Sequence, residues 1–270
     1  MPEHQPDLEN LVQQVQNLEK YRHISPELVK DLLTRELLKR SSQREAVKAV
    51  RNKLHQVGNA YQEKPPSYQT WLEELTALPA GLDDPAALAF IQRVLPAHAS
   101  TRERVPILPH FFQECLAELG KVVSVLDIAC GLNPLAIPWM PLKPGFTYTA
   151  CDIYLDMIGF LNQFFWHFQV NGKALLADVT QTIPDVDAEL TLVLKTIPCL
   201  EQLDRNAGRF LLTAIRSPNI LVSFPARSLG GRSKGMVQFY EQHFRDLISG
   251  QPWQVTRFEF PGELAFLIRK

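Results

Sequence analysis

Three acids stand at the ends of three short apolar runs. Asp127 closes VVSVLDI, Asp152 stands near the end of FTYTACDI, and Asp178 near the end of KALLADV. They follow one another at intervals of 25 and 26 residues. In a doubly wound sheet, ligands bind outside the carboxyl ends of the strands. Three acids so placed would face a single ligand. Asp152, with Ile153 after it, is where a carboxylate accepts hydrogen bonds from ribose hydroxyls. Asp178 is able to accept from an adenine amino group. Asp127 would repel a phosphate but suits an ammonium group.

The loop after Asp127 reads ACGLNPLA, with one glycine where a nucleotide-binding turn commonly has three. Gly131 lets the backbone approach a ligand closely. Ala129 permits nearly the same approach if its φ is negative. Asn133 tolerates a left-handed conformation better than most residues. A helix is expected from Pro134. The acids favour S-adenosylmethionine (SAM) over a dinucleotide, and Asp127, Ala129, Gly131, Asn133, Asp152, Ile153 and Asp178 are its candidate contacts.

The elements that must position these residues follow from periodicity. Residues 7–60 read as helices. Ser25 is an N-cap with Pro26 at the first helical position, and Leu28, Leu32 and Leu33 recur at helical spacing. A second helix opens at SSQREAV, with Ala46, Val47, Val50 and Leu54 on one face. Further helices are expected over Tyr68 to Leu78, from Pro85 to Val94, and through ERVPILPHFFQECLAELG. From there apolar strands alternate with helices: VVSVLDI, FTYTACDI, KALLADV, LTLVLK, NILVSF, WQVTRFEF and LAFLIRK. That alternation implies a parallel doubly wound α/β sheet. The last two strands, joined by PGE, imply an antiparallel hairpin. This is the pattern of a class I SAM-dependent methyltransferase. The expected division is a helical domain over 1–100 and a SAM-binding domain over 101–270.

Charge is distributed unevenly. The chain of 270 residues carries a net −1, with 46% apolar and 21% charged residues, an ordinary soluble composition. From Lys20 to His55, however, ten basic residues face four acidic ones, a local +6. Arg44, Lys48, Arg51 and His55 form a stripe on one helix face. Such a patch is a footprint of phosphate binding, and a solvated helix face is the plainer reading. No apolar run reaches the ~20 residues that span a bilayer, and the polar N-terminus is not a secretory signal. Cys115, Cys130, Cys151 and Cys199 lie far apart with no C-x-x-C pair, which implies reduced thiols in the cytoplasm and no zinc site.

Several stretches resemble one family closely: the aminoglycoside-resistance 16S rRNA (guanine-N7) methyltransferases. They are KYRHISPELV, LHQVGNAY, AHASTRER, VLDIACGLNPLA, CDI, VLKTIPCLE and VSFPARSLGGRSKGM, with GELAFLIRK at the C-terminus. Ala226 departs from the family pattern, where Thr is expected, and residues 63–84 have no clear counterpart. The resemblance implies a helical domain that docks on rRNA and a SAM domain behind it. It implies cofactor contacts at Tyr61, at His98, Ala99, Ser100, Thr101, Arg102, Glu103 and Arg104, and at Ala129, Gly131, Asp152, Asp178, Val179 and Leu194. Arg104 would clamp the methionine carboxylate bidentately, Ser100 or Thr101 would add a hydroxyl, and Tyr61 would close over the cofactor.

The implied substrate is a guanine in the decoding site of 16S rRNA within the 30S subunit, and the implied consequence is resistance to kanamycin- and gentamicin-type drugs. N7 of guanine carries a lone pair and no proton, so no catalytic acid or base is expected. Rate would come from alignment and exclusion of water. In paired RNA this nitrogen lies in a deep, narrow groove, so the base must flip out. Lys195, after the fourth strand, is placed to donate to guanine O6 or a phosphate. Arg227, Arg232 and Lys234 form a glycine-containing basic loop suited to RNA phosphates, with Arg227 and Lys195 positioning the target. The protein is expected to act as a monomer, with S-adenosyl-L-homocysteine (SAH) as the cofactor's product and no metal. Three alternatives stay open: an adenine-N1 methyltransferase of the same site, a non-enzymatic SAM-fold RNA-binding protein, and a small-molecule methyltransferase.

Overall fold

The computed structural model describes residues 7–57, 67–226 and 235–270. Tyr61, Arg227, Arg232 and Lys234 lie outside the described residues. The chain begins with three mutually packed helices, α1 (Leu8–Gln16), α2 (Pro26–Leu37) and α3 (Gln43–Val57). Their starts follow from local chemistry. The Asp7 carboxylate accepts from Asn10 N, Ser25 Oγ from Leu28 N, and Ser42 Oγ from Glu45 N, each satisfying an amide without an intrahelical partner. Pro26 stands at the first turn of α2, where its missing N–H costs nothing. Leu28, Leu32, Leu33, Ala46, Val47, Val50 and Leu54 are all buried, as the spacing predicts.

Helices α4 (Tyr68–Thr76) and α5 (Pro85–Val94) match their expected ranges closely. The expected long helix after residue 102 is instead broken. It comprises α6 (Ala99–Arg104), a 3₁₀ turn (Val105–Ile107), α7 (Leu108–Cys115) and a second 3₁₀ turn (Ala117–Leu119). Pro106 and Pro109 interrupt the amide ladder there.

The remaining elements are β1 (Val122–Ile128), β2 (Leu142–Asp152), α8 (Leu155–His167), β3 (Gly172–Leu176), β4 (Leu190–Leu194), α9 (Ile197–Leu200), α10 (Ala207–Ala214), β5 (Asn219–Pro225), α11 (Met236–Leu247), β6 (Gln254–Phe260) and β7 (Glu263–Arg269). The seven strands form one sheet in the order β3-β2-β1-β4-β5-β7-β6. The first five are parallel, and β7 runs antiparallel between β5 and β6. The expected hairpin is therefore present, with β6 alone at the edge. Two expectations need correction. The segment from Pro134 is a 3₁₀ helix (Asn133–Trp139), because Pro134 and Pro138 remove two of its amides. β3 ends at Leu176, two residues before Asp178.

Each sheet face has its own core. On one, Phe244 of α11 stacks on Phe266 of β7, ring centroids 3.9 Å apart. On the other, Tyr68 and Trp71 of α4 pack on Phe160 of α8 at 5.5 and 5.6 Å. That second core is continuous with the buried leucines of α1 to α3. A further seam joins these helices to the sheet. Ser25 N donates to Ile153 O at 2.8 Å, Leu155 N donates to His23 O at 2.7 Å, and Ile24 bridges Tyr154 between them.

Removing the Ser25 hydroxyl strips the cap from α2 beside this seam. Ser25→Ala is expected to lower unfolding free energy by about 1 kcal/mol, read as a lower denaturant midpoint at unchanged slope. An unchanged midpoint would show that the cap contributes nothing.

Candidate active site

The order of the sheet reverses between β1 and β4, and a cavity opens at their carboxyl ends. Its wall includes His98, Ser100, Ala129, Asp152, Ile153, Asp178, Val179, Leu194 and Lys195, nine residues the sequence singled out. Two wall residues take the left-handed conformation: Ala129 at φ 49° and Lys195 at φ 57°. The negative φ on which a glycine-like approach at Ala129 was conditional is not the one adopted. The chain must turn sharply off β1 so that Cys130 N can donate to Cys151 O at 3.0 Å. Backbone conformations of this kind are uncommon outside glycine and collect at binding sites.

The acids fall into two groups. Asp152 and Asp178 line the cavity. Asp152 Oδ2 accepts from Gly131 N at 2.9 Å and Oδ1 from Ile153 N at 2.6 Å. Burial nonetheless pushes its pKa up to about 6. Asp178 Oδ1 accepts from the amide and hydroxyl of Thr180, at 2.9 and 2.7 Å. Its Oδ2 is buried with no hydrogen-bond partner among the described residues. An unpaired acceptor on a cavity wall is an unmet demand for a donor. With the apolar Ile153, Ala177, Val179 and Leu203 beside it, the site suits a flat heterocycle carrying an amino group. Gly131 lies beneath. It has φ 53°, and a Cβ there would meet the His98 ring at 3.2 Å, so a larger residue would be strained and would press on that ring. His98 itself is held neutral. Burial lowers its pKa to about 4, aided by the charges of Arg104, Arg102 and Lys195.

Asp127, Arg104 and Asn133 do not line the cavity but stand behind its wall. Asp127 is 1% exposed, and its Oδ2 accepts from Tyr148 Oη at 2.6 Å and Asn133 Nδ2 at 2.8 Å. It does not meet an ammonium in the cavity as expected, because its acceptor is used internally. The bidentate clamp expected of Arg104 also exists, but on Glu263. Arg104 Nε donates to both Glu263 oxygens at 3.1 and 3.2 Å, Nη2 donates to Oε1 at 2.7 Å, and Nη1 donates to Asn133 Oδ1 at 3.0 Å. Glu263 is fully buried and also accepts from Ser223 Oγ at 2.7 Å.

Lys195 extends this cluster. Its Nζ lies 2.7 Å from Glu103 Oε2, 3.2 Å from Glu263 Oε2 and 3.4 Å from Ser100 O. Two of its ammonium donors are thus hydrogen-bonded within the protein and a second carboxylate stands in ion-pair range, while the residue itself lines the cavity. Thr101 Oγ1 is likewise turned inward, onto the carbonyls of Leu95 and His98. Ala99 is buried, and neither it nor Arg102 lines the cavity. Sequence reasoning missed Glu263, Tyr148, Tyr154 and Thr180. An acid inside the apolar run GELAFLIRK was the one signal available for Glu263.

The basic patch from Lys20 to His55 is partly neutralised. Lys30 pairs with Glu9, Arg35 with Asp31, and both Arg40 and Lys53 with Glu36. Arg51 Nη2 donates to Gln14 O at 2.5 Å and so ties α3 to α1. Arg44 and Lys48 are exposed, form no ion pair among the described residues, and line an open groove with Lys20, Gln14, Asn17 and Asn52.

A sheet of this order, with an acid-lined cavity at its reversal point, is the class I methyltransferase fold. The chain belongs to the ribosomal RNA methyltransferase (FmrO) family, whose model matches residues 17–267. It is 36% identical over 266 residues, 97% of either chain, to a 16S rRNA (guanine(1405)-N(7))-methyltransferase of Micromonospora echinospora. It is 38% identical over 254 residues to one of Frankia casuarinae, covering 93% of this chain and 89% of that one. Among solved structures it resembles the 16S rRNA methyltransferase RmtF in complex with SAH, with TM-score 0.83, 28% identity, and 97% and 98% of the two chains covered. It also resembles the 16S rRNA methylase RmtB, with TM-score 0.80, 26% identity, and 98% of each chain covered.

The buried charges make two predictions. Glu263→Gln leaves Arg104 and Lys195 short of a counter-charge, and should cost about 3–5 kcal/mol of stability, read by chemical denaturation. A loss under 1 kcal/mol would mean the cations repack. The second concerns pH. The folded-state pKa of Asp127 is raised by burial to about 7 from 3.8. The folded protein therefore holds that proton more tightly than the unfolded chain, and stability is lost as pH rises from about 4 to 7. His98 acts in the opposite sense, adding stability as pH rises from about 4 to 6.5. Asp127→Asn removes the Asp127 contribution alone, so that the thermal midpoint of the variant should rise relative to that of wild type as pH goes from about 4 to 7. Parallel curves would exclude a shifted Asp127.

Proposed function

We propose that this protein transfers a methyl group from SAM to N7 of a guanine in the decoding site of 16S rRNA in the 30S subunit, and so confers resistance to kanamycin- and gentamicin-type aminoglycosides. One observation carries the reading. In a chain of the ribosomal RNA methyltransferase family, the cavity wall pairs Asp152 with a buried Asp178 oxygen that has no hydrogen-bond partner among the described residues. SAM fits that wall. Asp152 would hold the ribose hydroxyls, Asp178 Oδ2 would accept from the adenine amino group, and Ile153 and Val179 would flank the purine. When bound, the cofactor supplies an electrophilic methyl group.

The chain's own part is positional. The guanine nitrogen attacks with its own lone pair and releases no proton, so the site needs no base. His98 is held neutral and Lys195 is locked by Glu103 and Glu263, which keeps the wall rigid and dry. Arg44 and Lys48, on the groove of α3, would take rRNA phosphates, with Arg227, Arg232 and Lys234 assisting near the target. Tyr61 would close over the cofactor.

The test incubates purified protein with 30S subunits and methyl-labelled SAM, and maps the product by reverse-transcription stops after borohydride and aniline treatment. A stop at a 16S decoding-site guanine is expected, and expression in a susceptible host should raise gentamicin tolerance. Asp152→Ala should weaken SAH binding at least tenfold, the loss of charge-assisted hydrogen bonds. Arg44→Glu with Lys48→Glu should weaken 30S binding and flatten its salt dependence without affecting SAH. Label on adenine, or none on wild type with 30S, would overturn the assignment.

A further inference from the structure

Tyr154 follows Asp152 and Ile153 at the end of β2 and lines the same cavity. It is 7% exposed, and its Oη has no hydrogen-bond partner among the described residues. A hydroxyl taken from water without a partner is a standing cost that a ligand can relieve. Burial, reinforced by the carboxylates of Asp152 and Asp156, pushes the phenol pKa up, so the group stays protonated and acts as a donor.

The backbone that carries the ring is also fixed in advance. Residues 23–25 grip the chain on both sides of it, through Ser25 N to Ile153 O, Leu155 N to His23 O, and the bridge between Ile24 and Tyr154. Little freedom remains to be lost when a ligand binds. Of the two acids on the cavity wall, Asp178 lies beyond β3, whereas Asp152 lies two residues before Tyr154 on the same strand end.

We propose that Tyr154 is a cofactor-binding residue whose Oη donates a hydrogen bond to the ribose of the cofactor nucleoside, on the edge that Asp152 holds. The proposal rests on the methyltransferase function argued above. It makes the ribose a two-point contact from one strand end: a carboxylate that accepts and a phenol that donates. A ribose hydroxyl can do both at once.

The test is Tyr154→Phe, with two readouts that move in opposite directions. The ligand-free variant should melt at the same temperature as wild type or higher, because an unpartnered buried hydroxyl has been removed. Calorimetric titration should show SAH bound about fivefold more weakly, the loss of one neutral hydrogen bond. The rise in melting temperature on adding SAH should shrink accordingly. The KM for 30S subunits should not change. Equal SAH affinity in the two proteins would overturn the proposal. So would a lower ligand-free melting temperature, which would mean that the hydroxyl bonds within the protein. An unchanged SAH affinity with a raised KM for 30S would place the hydroxyl against RNA and overturn it equally. If wild type itself binds no SAH, the function proposed above fails. If wild type binds and the variant matches it, only the assignment of Tyr154 fails.

Discussion

Arg104 and Glu263 are separated by 159 positions, and neither can be buried without the other. An isolated ion costs several kcal/mol to take out of water, and only close pairing with good hydrogen-bond geometry offsets that. The pair therefore closes the sheet domain on itself. It fixes α6, which carries His98 and Ser100 at its start, against β7 at the far side of the sheet. Lys195 and Glu103 extend it into an alternating chain, Glu103–Lys195–Glu263–Arg104, whose two cations and two anions balance. Asp127 is the fifth charge. The Asn133 amide stands between it and Arg104, relaying hydrogen bonds but no counter-charge. That separation explains why the pKa of Asp127 rises while that of Glu263 is lowered by its two cations against the effect of burial.

The cavity depends on this cluster for its shape. Its two left-handed residues, Ala129 and Lys195, sit on the adjacent strands where the sheet order reverses. Each turns the chain away from its strand and leaves a gap between the loops. At Lys195 the backbone is pinned by its own amide, which donates to Ser223 O at 2.9 Å, and the side chain by the carboxylates. Strain of this kind persists only where the surroundings over-determine it. Here the over-determination comes from charges that have no other place to go.

Much of the fold was legible in the sequence because it rests on short-range signals. Caps at Ser25 and Ser42, the leucine spacing of α2, and apolar runs such as VVSVLDI specify elements within a few residues of themselves. The two acids of the cavity wall, Asp152 and Asp178, were legible for a related reason: ligands bind outside the carboxyl ends of the strands in any sheet of this kind. What the sequence hid was direction. Whether Arg104 points to a ligand or to Glu263 is decided by a residue in the last strand, which no local pattern reveals. Asp127 shared the strand-end signal of Asp152 but turned inward, because Tyr148 on the neighbouring strand and Asn133 on the loop supply donors. The φ of Ala129 and the 3₁₀ path after Asn133 were hidden likewise. Both follow from the close approach of β1 and β2 and from prolines whose combined effect the apolar pattern overrode.

The seam between residues 23–25 and 153–155 works as the joint of a caliper. One jaw is the groove of α1 and α3 with Arg44 and Lys48, and the other is the cavity mouth. Because the joint is made of main-chain hydrogen bonds and Leu28 of α2 lies on the cavity wall itself, the span between the jaws is set by backbone geometry rather than by side-chain choice. A helical segment held this way keeps the Arg44–Lys48 groove at a fixed distance from the cavity. In the proposed reaction, substitutions on the surface of α3 would alter how firmly rRNA is held, while the position of the reacting atom relative to that contact would stay where the main chain puts it.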